Sequence, residues 1–230
     1  RDLHLSLRRQ RQMCIRDRWG RDYTRPFQVM EAQGIALDSS YGPAGHTGKG
    51  YLFGTGLPFH PIDTNGLPFE LYELPIQVQV RYSGANASFI ALLMNQSRSR
   101  FHEAIDILYH PADLVEGQPP RYDWLQFAKI ARQNNHSPMT MTQFLEWWKK
   151  RLLFGIDSLE WNGSTLTFQF SAPDDRCGIF VPLNFSGSLL SEVRIDSKPP
   201  KSSRTVVVQG NRYLIFQAER GMHEASIRYG

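Results

Sequence analysis

"QFLEWWKKRLLFGIDSLEWNGSTLTFQF", from Gln143 to Phe170, changes its apolar period partway along. Up to Arg151 the apolar residues recur at the three-and-four spacing of an amphipathic helix. Beyond Gly155 they alternate, as in Leu166, Phe168 and Phe170, which turns one face of a strand toward a core. The chain therefore changes architecture near Leu152–Gly155.

Toward the C-terminus the alternating pattern persists. "SLEWNG", "TLTFQFSAP", "GIFVPLNF", "SEVRIDS", "RTVVVQG", "RYLIFQAE" and "HEASIRYG" follow one another. Turn formers such as Asn162-Gly163 and Gln209-Gly210-Asn211 separate them. Short strands at this spacing predict a small antiparallel β-sandwich over residues 152–230.

Toward the N-terminus, strands and helices alternate. A short helix over Arg25–Gln33 stops at Gly34, and "IALD" (Ile35–Asp38) follows as a buried strand. After a long Gly- and Pro-rich loop, Leu71–Val80 holds a strand whose pairing Pro75 limits. Ala87–Phe101 is helical, Ala104–His110 is a strand, and "YDWLQFAKIARQNN" is an amphipathic helix presenting Trp124, Phe127, Ala128 and Ala131 on one face. "PMTM" is extended, and Thr142 is placed to N-cap the helix that follows. Alternation of this kind predicts a parallel sheet with crossover helices.

Residues 1–18 read differently. "RRQRQMCIRDR" (Arg8–Arg18) is basic and fits no targeting class. With the residues before it, it resembles the translation of a sequencing-library adapter, and it is set aside as disordered. The chain carries 26 Lys+Arg against 22 Asp+Glu, a net of +4. Residues 1–18 hold six Arg and two Asp, also +4, so the remainder is formally neutral. A nucleic-acid partner thereby loses its electrostatic footprint. Cys177 is the one cysteine left, too few for an internal disulfide or a cysteine-rich zinc site. No apolar run is long enough to span a membrane. "GHTGKGY" lacks the Lys-Ser/Thr ending of a phosphate-binding loop, because Gly50 follows Lys49.

Four stretches, "GIALDSSYGP", "GYLFGTGLPFHPID" with "LYELPIQ", "AIDILYHP" and "PMTMTQFLEWWKKR", together resemble the C-terminal half of a polysaccharide deacetylase-like (NodB-type) catalytic domain. The resemblance covers residues 19–151. It implies the back half of a distorted (β/α) barrel, with residues 152–230 as an accessory β-domain that covers the barrel or binds glycan. It also implies a carbohydrate-active hydrolase acting on a polysaccharide or glycan.

By the same resemblance His110, ending its strand, is the general acid that protonates the leaving amine. An imidazole suits that role because its pKa lies near neutrality. Asp38 ends another strand, where it orients a base, binds sugar hydroxyls or caps the Ser39-Ser40 turn. Tyr51 and His60 lie on the long loop, with His46, Phe53 and Phe59, as candidates for contacting substrate. The family holds a divalent, zinc-type metal with an early Asp and a His-x-x-x-His pair. None of the seven histidines here stands four residues from another. The expectation is a fragment whose metal-binding half lies upstream, with no metal of its own and no activity as given. The alternative is a non-catalytic carbohydrate-binding or cell-envelope protein on a degenerate barrel.

Overall fold

The computed structural model describes residues 23–42, 56–79, 86–109, 115, 119–175 and 177–230. The chain divides into two compact units, Arg1–Pro138 and Met139–Gly230. It is a mixed helix-and-sheet protein whose strands are mostly antiparallel.

In the first unit, α1 (Thr24–Ala32) buries Phe27 and Met30. Gly34 ends it in the left-handed region (φ +68°), donating to the Glu31 carbonyl at 2.9 Å. Next comes β1 (Leu37–Asp38), parallel to β2 (Tyr72–Glu73). The single strand expected over Leu71–Val80 is interrupted at Pro75, as its missing N–H requires. Its second part, β3 (Val78–Gln79), pairs in parallel with β4 (Ile107–Leu108) instead. Two parallel pairs therefore stand where the alternation predicted one parallel sheet.

Between β3 and β4, α2 (Ala87–Gln96) is N-capped by Asn86, whose side chain accepts the Phe89 N–H at 3.0 Å. It continues into a π-helical turn, Ser97–Phe101, that ends at left-handed His102. α3 (Pro119–Gln133) sends Phe127 into a core with Val78, Ile90 and Met94. Trp124, expected on that buried face, is 45 % exposed. A second cluster joins Phe27, Met30, Phe69 and Leu71.

The segment Gly56–Glu70 is more ordered than a structureless loop. It folds back on β2 through antiparallel bridges Phe59↔Glu73 and Ile62↔Pro68. Asp63 closes its tip by accepting the N–H groups of Asn65 and Leu67, each at 2.8 Å. Gly56 is required at its position, since a Cβ there would lie 1.9 Å from the Ala104 carbonyl oxygen.

The second unit opens with α4 (Met141–Leu152). The division thus falls ahead of this helix, whereas the change of period lies after it. Its N-cap is Thr140, not Thr142: Thr140 and Gln143 form a reciprocal capping box. Thr142 lies inside the first turn.

Eight strands follow: β5 (Gly155–Trp161), β6 (Thr165–Ala172), β7 (Cys177–Pro182), β8 (Asn184–Phe185), β9 (Ser188–Ile195), β10 (Ser203–Val208), β11 (Asn211–Ala218) and β12 (Gly221–Tyr229). They form a five-stranded sheet, β5-β6-β12-β9-β8, and a three-stranded sheet, β10-β11-β7. Left-handed residue pairs make the tight turns, Ser186-Gly187 and Gln209-Gly210. Alternation does the rest. Phe168, Phe170, Ala225, Ile227 and Tyr229 of one sheet meet Ile179, Val181, Phe216 and Ala218 of the other in one buried cluster.

Candidate functional site

The most unusual polar chemistry among the described residues lies in the first unit, where β1 and β2 end. The register places Asp38 directly beside Glu73. Both carboxyls are buried, Glu73 completely. One Glu73 oxygen, Oε1, accepts the backbone N–H groups of Ser40 (3.0 Å) and Tyr41 (2.7 Å). It thereby pins the turn that leaves β1. The backbone continues this zipper: Leu74 N–H donates to the Asp38 carbonyl and Ile76 N–H to that of Tyr41.

A third carboxyl, Asp106, stands just ahead of β4 and accepts the Ser39 hydroxyl. Its own N–H donates to Gln77 Oε1, and the Gln77 amide nitrogen donates to the Pro75 carbonyl. One polar network therefore ties the Asp38–Tyr41 turn to both parallel pairs.

Burial decides the protonation of these groups. It raises Asp38 above the ordinary carboxylate range, and the nearby Ser40, Glu73 and Ser39 groups only temper the rise. Burial also raises Glu73 well above its ordinary value, and the adjacent Asp38 charge adds to it. Asp106 is pushed up to about 6 by burial, against the pull of Ser39.

With both carboxyls ionised, Asp38 Oδ2 and Glu73 Oε2 have no donor. A proton on Glu73 supplies one and cancels the repulsion between two buried like charges. Both shifts point the same way, so the pair keeps its protons to higher pH than free carboxyls do. Ser40 Oγ is also buried.

His60 lies on the segment bridged to β2. Its Nδ1 donates to the carbonyl oxygens of Phe69 (2.8 Å) and Leu71 (3.2 Å), and its ring packs 4.0 Å from that of Tyr72. Two carbonyls at Nδ1 fix the proton there, which leaves Nε2 as the lone-pair nitrogen of the neutral ring. The fold thus gathers Asp38, Glu73 and the His60 segment around β2. Tyr51 and His110 lie outside the described residues, as do His46 and Phe53.

Glu73 and Asp106 were not singled out from the sequence. Each is an acid inside a short apolar run, "LYELP" and "AIDIL", and an acid in a buried strand is itself a signal of an unusual environment.

A divalent metal does not fit the described residues. Among them no three His, Cys, Asp or Glu side chains are grouped to hold one, and Glu73 Oε1 is already committed to two N–H groups. What the cluster can do is keep a proton on a carboxyl at a pH where free carboxyls have lost theirs, the condition for a carboxylic acid to act as an acid or donor near neutrality.

No family model, curated protein or solved structure matches the chain.

Proposed function

We propose that the chain is part of a polysaccharide deacetylase-like, carbohydrate-active hydrolase, the first unit belonging to its (β/α) barrel. The observation that supports this most is the pair of buried carboxyls ending two parallel neighbouring strands, Asp38 beside Glu73. Folds built on parallel strands place their chemistry at those strand ends. In this reading the acid network fixes the turn after β1, and His110, shortly after β4, protonates the leaving amine. The metal belongs to residues outside this set, and the chain as given releases no acetate.

The genomic frame leading into Trp19 is expected to encode an early Asp and a His-x-x-x-His pair. Protein expressed from that frame is expected to release acetate from acetylated oligosaccharides when zinc is supplied. A frame lacking those ligands, or a protein that binds oligosaccharides without releasing acetate, would move the chain to a non-catalytic carbohydrate-binding role.

A further inference from the structure

The outer face of the three-stranded sheet carries a second feature that neither the core nor the acid network uses. A cleft of about 430 Å³ lies there, lined by Gly178, Phe180, Ser202, Ser203, Arg204, Ile215 and Gln217. Its layout follows from strand register. Arg204, Ile215 and Phe180 are direct neighbours across β10, β11 and β7, so they form one row. Gln217 and Gly178 are likewise paired, and Ser202 accepts the Gln217 N–H through its carbonyl, giving a second row. Residues two apart on a strand share a face, so both rows open on the same side.

Each position contributes something different. Ile215 is buried and makes an apolar floor. Phe180 is 50 % exposed and stands edge-on to Tyr213 at one rim. Gly178 leaves the space beside that ring open, since a Cβ there would already approach Ile215 Cγ2 to 3.2 Å. The Ser202 hydroxyl donates to Gln217 Oε1 at 3.3 Å, which leaves the Gln217 amide nitrogen and its two N–H donors for another group. Arg204, two strands (about 10 Å) from Phe180, makes none of the ion pairs found among the described residues.

We propose that this cleft binds an acidic saccharide, with a sugar carboxylate on Arg204 and the apolar face of the pyranose ring against Phe180 and Ile215. A guanidinium recognises a carboxylate through paired N–H bonds. Ser202 and Gln217 beside an apolar floor offer hydrogen-bonding groups of the kind a polyhydroxylated ring needs. One unpaired cation matches one carboxylate, whereas a phosphodiester chain calls for a row of them. The proposal does not rest on the deacetylase-like reading, which concerns the other unit.

The test titrates the full chain, labelled with ¹⁵N, with tetragalacturonate, and in parallel with xylotetraose and with sodium acetate. Tetragalacturonate is expected to shift the amides of Gly178, Phe180 and Gln217. Arg204→Gln is expected to weaken it by roughly tenfold or more, and Phe180→Ala to weaken it as well. Both side chains are exposed, so unchanged spectra elsewhere certify the fold of the variants. The proposal is overturned if tetragalacturonate leaves those amides unmoved or if Arg204→Gln binds it equally well. Equal binding of xylotetraose would also overturn it by removing the role of charge, and equal binding of acetate would do so by reducing the cleft to an anion site. None of these results bears on acetate release, so failure here and failure of the deacetylase-like reading are separable.

Discussion

Carboxylates inside the first unit and carboxylates at the edges of the second are shifted in opposite directions. Asp38, Glu73 and Asp106 are raised, in each case first by burial. Glu192 and Asp196 are lowered, first by side-chain hydrogen bonds from Arg194 and His223. Water separates the two cases. Exposed acids keep their hydration and take on a partner, whereas interior acids lose hydration that backbone N–H groups replace only in part. Exposed Asp63, in the first unit, is lowered by its own loop's N–H groups, so solvent access and not unit membership sets the sign.

The two sets contribute to stability over different pH ranges. A raised carboxyl binds its proton more tightly when folded, so its contribution is full below the ordinary pKa and is lost as pH climbs through the folded value. For Asp106 that loss runs from about pH 4 to about 6. Asp196 is the reverse case: its contribution is present above its ordinary pKa and is lost as pH falls through the lowered one. His223, raised by Asp196, contributes below its ordinary pKa and loses that contribution as pH rises through the raised value. Its two ring nitrogens face Asp196 Oδ2 (2.7 Å) and the Glu219 carbonyl (2.9 Å), so only the doubly protonated ring satisfies both.

The largest effect is expected from Glu73→Ala. It strands the buried N–H groups of Ser40 and Tyr41 and should cost the first unit about 2–5 kcal/mol by chemical denaturation. Glu73→Gln sharpens the comparison. It retains an acceptor for both N–H groups, keeps a donor toward Asp38 and cannot ionise. Its stability should fall within about 1 kcal/mol of the parent where Glu73 holds its proton and exceed the parent once pH is high enough to remove it. A Gln variant as damaged as the Ala variant would show that Glu73 works as an ion.

Asp106→Asn comes next. Denaturation midpoints across pH 4 to 6 should flatten by on the order of 3 kcal/mol relative to the parent. An unchanged slope would assign that acid an ordinary pKa. Thr140→Ala, which removes a neutral cap, should cost the second unit about 1 kcal/mol equally at pH 5 and pH 8.

Asp196→Asn should be smallest. Asp196 is half-exposed, which holds the loss to about 0.5 kcal/mol near pH 6. The loss should shrink once His223 is neutral, as thermal melts of the variant at pH 6 and pH 9 would show.

The sandwich was the more legible half of the chain. Strict alternation in segments such as Thr165–Ala172 specifies which side chains face the core, and Phe168, Phe170 and Ala172 do so. The first unit's strands are only two residues long, and two residues have no period to read. Their pairing is set instead by Pro75 and by side chains reaching from one turn to another strand.

Asp38 could be picked out because it ends an apolar run. Its partner Glu73 sits 35 positions further on, a proximity that only the folded register creates. The misplaced helix cap was readable in principle. Thr140-Met141-Thr142-Gln143 carries the Thr-x-x-Gln spacing of a capping box from Thr140, whereas the third residue after Thr142 is Leu145.

The most direct measurement is a ¹³C NMR titration of the side-chain carboxyl carbons of the full chain, with Asp38, Glu73 and Asp106 assigned by single substitution. The expected result is an Asp106 midpoint near 6, an Asp38 midpoint above its ordinary range, and Glu73 still protonated well above its own. Replacing Asp38 with Asn should bring Glu73 partway back. If all three titrate at the ordinary values of 3.8 and 4.5, the buried acid network is contradicted.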